Sequence, residues 1–245
     1  MKYNRICIML PTYHRHDTLL PIFIDSAMKT ALISQVCFCF CVNAKDQKTI
    51  DFINQRFSGT LWKYEIITES SIQPNLAYYF NLMYDVSTFS DEDTLVSMFG
   101  DDMEFITDGW DTKLLELVNE HDGIGTFWCN DNYIARENLC VNGVWSRKFV
   151  EATGRPFMCE LFPADMIDVV WYKVSEKTKT LHYLPDVIIQ HNHNTKRQRI
   201  DFDATFERLT PLQRSASTPV NLYYAGVYAT AVAGNLIEAG MGSWQ

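Results

Sequence analysis

Through the first two-thirds of the chain, short unbroken apolar runs alternate with amphipathic stretches, which restricts the fold to strands joined by crossover helices. Ile6 to Leu10 reads as a buried strand. A helix capped by Asp17 carries Leu19, Leu20, Phe23 and Ala27 on one side, and Gln35 to Val42 returns as a second strand. Lys45 to Phe57 reads as the next helix and Trp62 to Ile67 as the third strand. Pro74 opens a helix bearing Leu76, Phe80 and Met83, and Thr94 to Phe99 forms a fourth strand that runs into Gly100-Asp101-Asp102. Open sheets of this kind bind ligands beyond the carboxyl ends of their strands. Pro11 to Arg15, Asn43 and Asp101-Asp102 all fall there.

Beyond Asp108 the pattern is mixed. Helices are expected over Gly109 to Asn119, Val144 to Thr153 and Asp165 to Lys177, with strands over Ile124 to Cys129 and Asp186 to His193. The sequence divides into a main domain over 1–215 and a helical tail over 216–245, whose helix opens at Thr218-Pro219. That helix, with Leu222, Tyr223, Tyr224, Val227, Tyr228, Ala231 and Val232, is apolar nearly all round. It therefore needs cover, either from the domain or from a second subunit in a homo-oligomer.

Composition narrows the function. The 245 residues are 47% apolar, enough for one large core. No basic leader opens the N-terminus and no run of roughly 20 apolar residues is present, so a cytoplasmic protein without a membrane span is expected. The seven cysteines are odd in number and sit mostly inside apolar runs, which suits reduced thiols. The alternating Cys37, Cys39 and Cys41 share one pleat and read as core rather than a zinc site. A formal charge of -9 opposes broad attraction to nucleic acid.

The most informative chemistry is at Phe99-Gly100-Asp101-Asp102-Met103-Glu104, where a buried strand ends in adjacent carboxylates. Such charges must meet solvent or a cation, and a divalent ion held by carboxylates and substrate phosphates satisfies the second case. Two late histidines, His191 and His193, alternate onto one strand face, so either could reach the same ion. Imidazole ligation tilts the choice toward Mn²⁺ over Mg²⁺.

In this setting the chain resembles the GT-A glycosyltransferases of the family 2-like group. Leu10-Pro11-Thr12-Tyr13-His14-Arg15 is similar to that group's Pro-Thr-Tyr-Asn-Arg signature, with His14 in place of Asn. The acidic turn is similar to its DXD element, with Gly100 at the first acidic position. The resemblance spans roughly Arg5 to Phe206. It implies an α/β fold of GT-A type, a Rossmann-like mixed sheet with flanking helices followed by the helical tail. It also implies a nucleotide-sugar donor, with UDP-sugar the leading expectation. Asp102 inherits the metal-ligand role and Asp101 an auxiliary role to metal or donor, while the absent first carboxylate bears on ribose binding.

By the same resemblance Pro11, Thr12, Tyr13, Arg15, Asn43 and Asn75 line the nucleotide, although Asn75 also suits a helix-end cap. The basic segment Lys196, Arg197 and Arg199 follows the histidine strand and either closes over the diphosphate or stays a solvated loop. His191 or His193 joins the metal. For the base that takes the acceptor proton in an inverting transfer, Asp168 is preferred over Asp165, which also suits a helix cap. Trp110 offers a ring for sugar stacking or packs in the core. The acceptor, a glycan or a hydroxylated base in DNA, is expected to meet segments near Trp110, Asn130 to Asn142 and Phe157 to Phe162. A catalytically silent GT-A domain that binds nucleotide or carbohydrate is the alternative. A nucleotidyltransferase would need a glycine-rich phosphate loop after the first strand, which Pro11 to Arg15 does not supply.

Overall fold

The computed structural model describes residues 2–70, 76–133, 135–161, 166–192 and 219–243. Among these described residues eight strands form one mixed sheet: β1 (Arg5–Thr12), β2 (Val36–Asn43), β3 (Lys63–Glu69), β4 (Thr94–Ser97), β5 (Met103–Phe105), β6 (Thr126–Asn130), β7 (Val144–Ser146) and β8 (Leu181–His191). Their order is β3-β2-β1-β4-β7-β6-β8-β5. The first four elements of that order run parallel, as the strand-helix alternation requires. Strand β7 is antiparallel to both β4 and β6, β6 runs parallel to β8, and β5 closes the edge antiparallel to β8.

Side-chain alternation sorts the buried strands into two cores. Ile6, Ile8, Leu10, Phe38 and Phe40 face one side, where α1 (Leu19–Thr30), α2 (Gln47–Phe57) and α4 (Trp110–Glu120) cover them. Cys7, Met9, Cys37, Cys39 and Cys41 face the other, under α3 (Leu76–Val86), α5 (Arg147–Ala152), α6 (Ile167–Thr178) and α7 (Pro219–Glu238). Each fully buried Phe, Ile or Leu stabilises the fold by about 1.5–3 kcal/mol, so the two faces hold the sheet rigid beneath its loops. All seven cysteines are buried and unbridged, in keeping with reduced thiols acting as core residues. Trp110 is fully buried against Phe105 and Phe99, which removes it as a sugar platform.

Several boundaries differ from the sequence reading for identifiable reasons. Thr18 rather than Asp17 holds the capping position of α1, without a side-chain cap bond. The stretch expected as one helix over Val144 to Thr153 splits: Val144, Trp145 and Ser146 are extended because they fill the gap between β4 and β6. Ser146 then accepts the Phe149 amide at 3.0 Å and starts α5. Strand β8 begins at Leu181, ahead of Asp186, because its first half pairs with β6 before a register shift. Helix α7 does pack within the chain: Ala225, Ala229, Val232 and Leu236 enter the core beside α6, while Leu222, Tyr223, Tyr224 and Val227 stay exposed. Among the described residues no helix is long and apolar enough to cross a membrane.

One half-buried group links this fold to acid. His182 stacks on His121 at 3.8 Å between centroids and on Phe127, and its Nε2 lies 3.1 Å from the Ile124 carbonyl. Burial, with the neighbouring His121, pushes its pKa down from 6.5 to about 4. The unfolded chain therefore binds more protons between about pH 6.5 and 4, so stability is full above that window and falls as pH drops through it. Urea midpoints across the window should drop more steeply for wild type than for His182→Phe, which keeps a ring and cannot protonate. Equal slopes would contradict the assignment.

Candidate active site at the carboxyl edge of the sheet

The site is built where β1, β2 and β4 end. Ser97 continues the β1–β4 ladder with its side chain, donating to the Cys7 carbonyl at 2.9 Å and accepting the Met9 amide at 3.2 Å. The chain then turns, with Met103 N–H donating to the Gly100 carbonyl at 3.2 Å. Within this turn the two carboxylates take opposite duties.

Asp101 points inward and is only 6% exposed. One of its oxygens accepts the Thr12 hydroxyl at 2.7 Å and the other pairs with the Arg15 guanidinium. Burial pushes the Asp101 carboxyl up, while Arg15 opposes that rise. Asp102 points the other way, with Oδ2 at 3.3 Å from His191 Nε2. A Cβ at position 100 would lie 2.6 Å from Asp102 Oδ1, so glycine there leaves room for the Asp102 carboxylate. The missing first acid of the turn is thus matched by the space Asp102 occupies.

His191 reaches this point because β8 pairs with β5: Met103 sits opposite His191, and the Asn192 amide donates to the Asp102 carbonyl at 2.8 Å. Burial alone would depress the imidazole, but the surrounding carboxylates, Asp102 foremost, together outweigh it and hold the His191 pKa above its ordinary value. Asp131 and Asp168 act on the same ring, so all three carboxylates lie within its electrostatic reach. Asp168 stands in the first turn of α6, with Oδ1 accepting the Val169 amide at 2.7 Å and its carbonyl accepting the Cys140 thiol at 3.2 Å.

On the β2 side, Asn43 Oδ1 accepts the Lys45 amide at 3.0 Å, which commits that oxygen to the turn. Tyr13 lies against His14, their rings 3.9 Å apart. Pro11 is half-buried at the end of β1. His14 adopts a left-handed backbone with φ of 55°, and its amide donates to Asp46 at 2.7 Å. Asn75, Asp165, His193, Lys196, Arg197 and Arg199 lie outside the described residues.

Three residues of this edge escaped the sequence reading. Asp46 is buried, caps α2 through the Thr49 amide, and takes the Thr49 hydroxyl at 2.7 Å. Burial resists its charge, yet the bonds from Thr49 and His14 hold its pKa below the ordinary value. Its signal was the Asp-x-x-Thr spacing just after Asn43. Asp131 takes the amides of Tyr133, Ala135 and Arg136, and its carbonyl accepts the His191 amide at 3.0 Å. The polar Asn130-Asp131-Asn132 cluster marks that turn. Asn192 has no such signal.

Among the described residues no group of three or more His, Cys, Asp or Glu side chains is set to hold a metal. Asp102 and His191 form a two-donor set, one carboxylate and one imidazole. The buried ion pair beneath them is testable. Arg15→Met strands the Asp101 carboxylate in a buried place and should destabilise the protein by about 3–5 kcal/mol in urea unfolding, with Arg15→Met/Asp101→Asn recovering most of the loss. A double variant as unstable as the single one would show that the pair is not what the turn rests on.

No family model matches the sequence, and a search of curated proteins finds no match. Solved structures do match. The chain is similar to the mannosyltransferase PcManGT from Pyrobaculum calidifontis, solved with GDP-Man and Mn²⁺, at a TM-score of 0.61 and 12% identity, over 99% of this chain and 77% of that one. It is similar to S. aureus TarS 1-349 at a TM-score of 0.60 and 7% identity, over 96% of this chain and 72% of that one. TarS in complex with UDP-GlcNAc gives 0.58 and 9%, over 96% and 73%. At such low identity the likeness speaks to architecture, and the architecture is plain: this chain has the GT-A-like fold of glycosyltransferases.

Proposed function

We propose that the protein is a metal-dependent glycosyltransferase that moves a sugar from a nucleotide diphosphate, a UDP-sugar by resemblance, to an acceptor hydroxyl with inversion. The observation that carries this reading is the convergence of Asp102 and His191 at the carboxyl edge of the sheet. A carboxylate oxygen and an imidazole nitrogen suit Mn²⁺, and a two-donor set leaves positions for diphosphate oxygens. The structural neighbours support a nucleotide-sugar donor, since they were solved with GDP-Man and Mn²⁺, with UDP-GlcNAc and with UDP. Bound there, the cation would neutralise charge on the departing diphosphate.

The chain's own residues do the rest. Thr12 and Arg15 fix Asp101, which sets the turn so that Asp102 faces outward. The cap at Asp46 holds His14, and with it the strand-end loop that would run beside the nucleotide. Asp168 takes the proton of the acceptor hydroxyl as that oxygen attacks the anomeric carbon, and its electrostatic reach to His191 supports a place beside the reacting centre.

A panel of nucleotide sugars read by nucleotide release, with Mn²⁺, Mg²⁺ or EDTA, tests the reading. Turnover should need the metal and vanish in Asp102→Ala; a variant matching wild type would refute the metal assignment. Asp168→Asn should slow transfer by about 10²-fold or more while donor affinity holds. Weaker donor binding at an unchanged maximal rate would assign Asp168 to the donor instead.

A further inference from the structure

The sheet ends in two unlike edges. At one end of the strand order β5 has three residues, too short to template much pairing. At the other end β3 has seven, Lys63–Glu69, in unbroken parallel register with β2 and without proline. Its outer edge pairs with no strand among the described residues.

One bond fixes the direction of its main-chain groups. The Ala44 amide donates to the Glu69 carbonyl at 2.9 Å, so Glu69 turns its main-chain groups toward β2. Such groups alternate along a strand: Lys63, Glu65 and Ile67 also face β2, and Tyr64, Ile66 and Thr68 turn their N–H and C=O groups to the open edge. Side chains alternate with the same period, Tyr64 and Ile66 packing toward the core under α1, α2 and α4, and Ile67 toward the core under α3.

Exposed edges are kept single by a bulge, a proline or a charge in mid-strand. Here the mid-strand acid, Glu65, is already committed: it accepts the hydroxyls of Ser87 and Thr88, and the Thr88 amide at 3.0 Å. The remaining charges stand at the two ends, Lys63 first and Glu69 last, with Glu69 accepting the Tyr78 hydroxyl at 2.7 Å. Leu61, just ahead of the strand, is 86% exposed, more than any other large apolar side chain among the described residues.

We propose that β3 pairs antiparallel with β3 of a second copy of this chain, about a two-fold axis at Ile66, joining two sheets into one. In that register Ile66 exchanges both main-chain bonds with Ile66 of the second copy, and Tyr64 exchanges both with Thr68 of the second copy. Every outward group is used. The same register sets Lys63 opposite Glu69 of the second copy, an attractive pair that the symmetry makes twice. Sliding one copy by two residues keeps the outward groups paired but sets Glu65 opposite Glu65, or Glu65 opposite Glu69, so like charges disfavour both alternatives. No residue of this seam belongs to the candidate active site, and the proposal stands whether or not the chain transfers sugar.

Sedimentation velocity on the full chain, from low micromolar to several hundred micromolar protein, reads the association. A dimer should appear as concentration rises. Thr68→Pro should weaken it by at least about tenfold, because proline lacks the outward N–H while this edge position spares the bonds to β2. Lys63→Glu should weaken it roughly tenfold by setting acid opposite acid, and Lys63→Glu/Glu69→Lys should recover most of the loss. Lys63 is exposed, so its variant keeps the monomer fold and carries the test if Thr68→Pro does not fold. A chain that stays monomeric throughout overturns the proposal, as does a dimer that neither single variant weakens. A dimer lost instead in Tyr223→Lys, at a position 68% exposed, would place the contact on α7 and overturn it as well.

Discussion

The site depends on one buried ion pair. Arg15, from the loop after β1, and Asp101, from the turn after β4, meet between neighbouring parallel strands with Thr12 on the second carboxylate oxygen. Desolvating both ions offsets most of their mutual attraction, so such a pair adds little net stability over an apolar replacement. Its effect is geometric. A turn with two adjacent acids could present either one, and fixing Asp101 inward leaves Asp102 to face His191.

Everything else at this edge follows from strand ends brought to one level. The β5–β8 pairing carries His191 to the acidic turn from far along the chain, and the Asn192 and His191 amides tie that arrival to Asp102 and Asp131. The two cores hold the strands beneath, in the parallel half of the sheet and in the mixed half alike. Helix α7 serves the second half: it backs α6, the helix that carries Asp168 and Tyr172.

Much of this was readable from the residues. The runs Ile6 to Leu10 and Gln35 to Val42 have one interpretation as buried strands, and the acidic turn after Thr94 to Phe99 stood out because it interrupts apolar sequence. Val144 to Ser146 misled because three residues carry no period, and only pairing with β4 and β6 makes them a strand. The split between Asp101 and Asp102 was equally hidden: the sequence shows two like carboxylates, and the partners that tell them apart lie 89 and 86 positions away at Thr12 and Arg15.

On the proposed function, the carboxyl edge of this sheet grips a cation between Asp102 and His191 while a nucleoside diphosphate lies against it. Crystals grown with Mn²⁺ and UDP test it most directly, through the anomalous signal of manganese. The account predicts a peak within coordination distance of Asp102 and His191, with diphosphate oxygens completing the shell. A nucleotide bound at this edge with no peak there, or a peak held by other side chains, would contradict it.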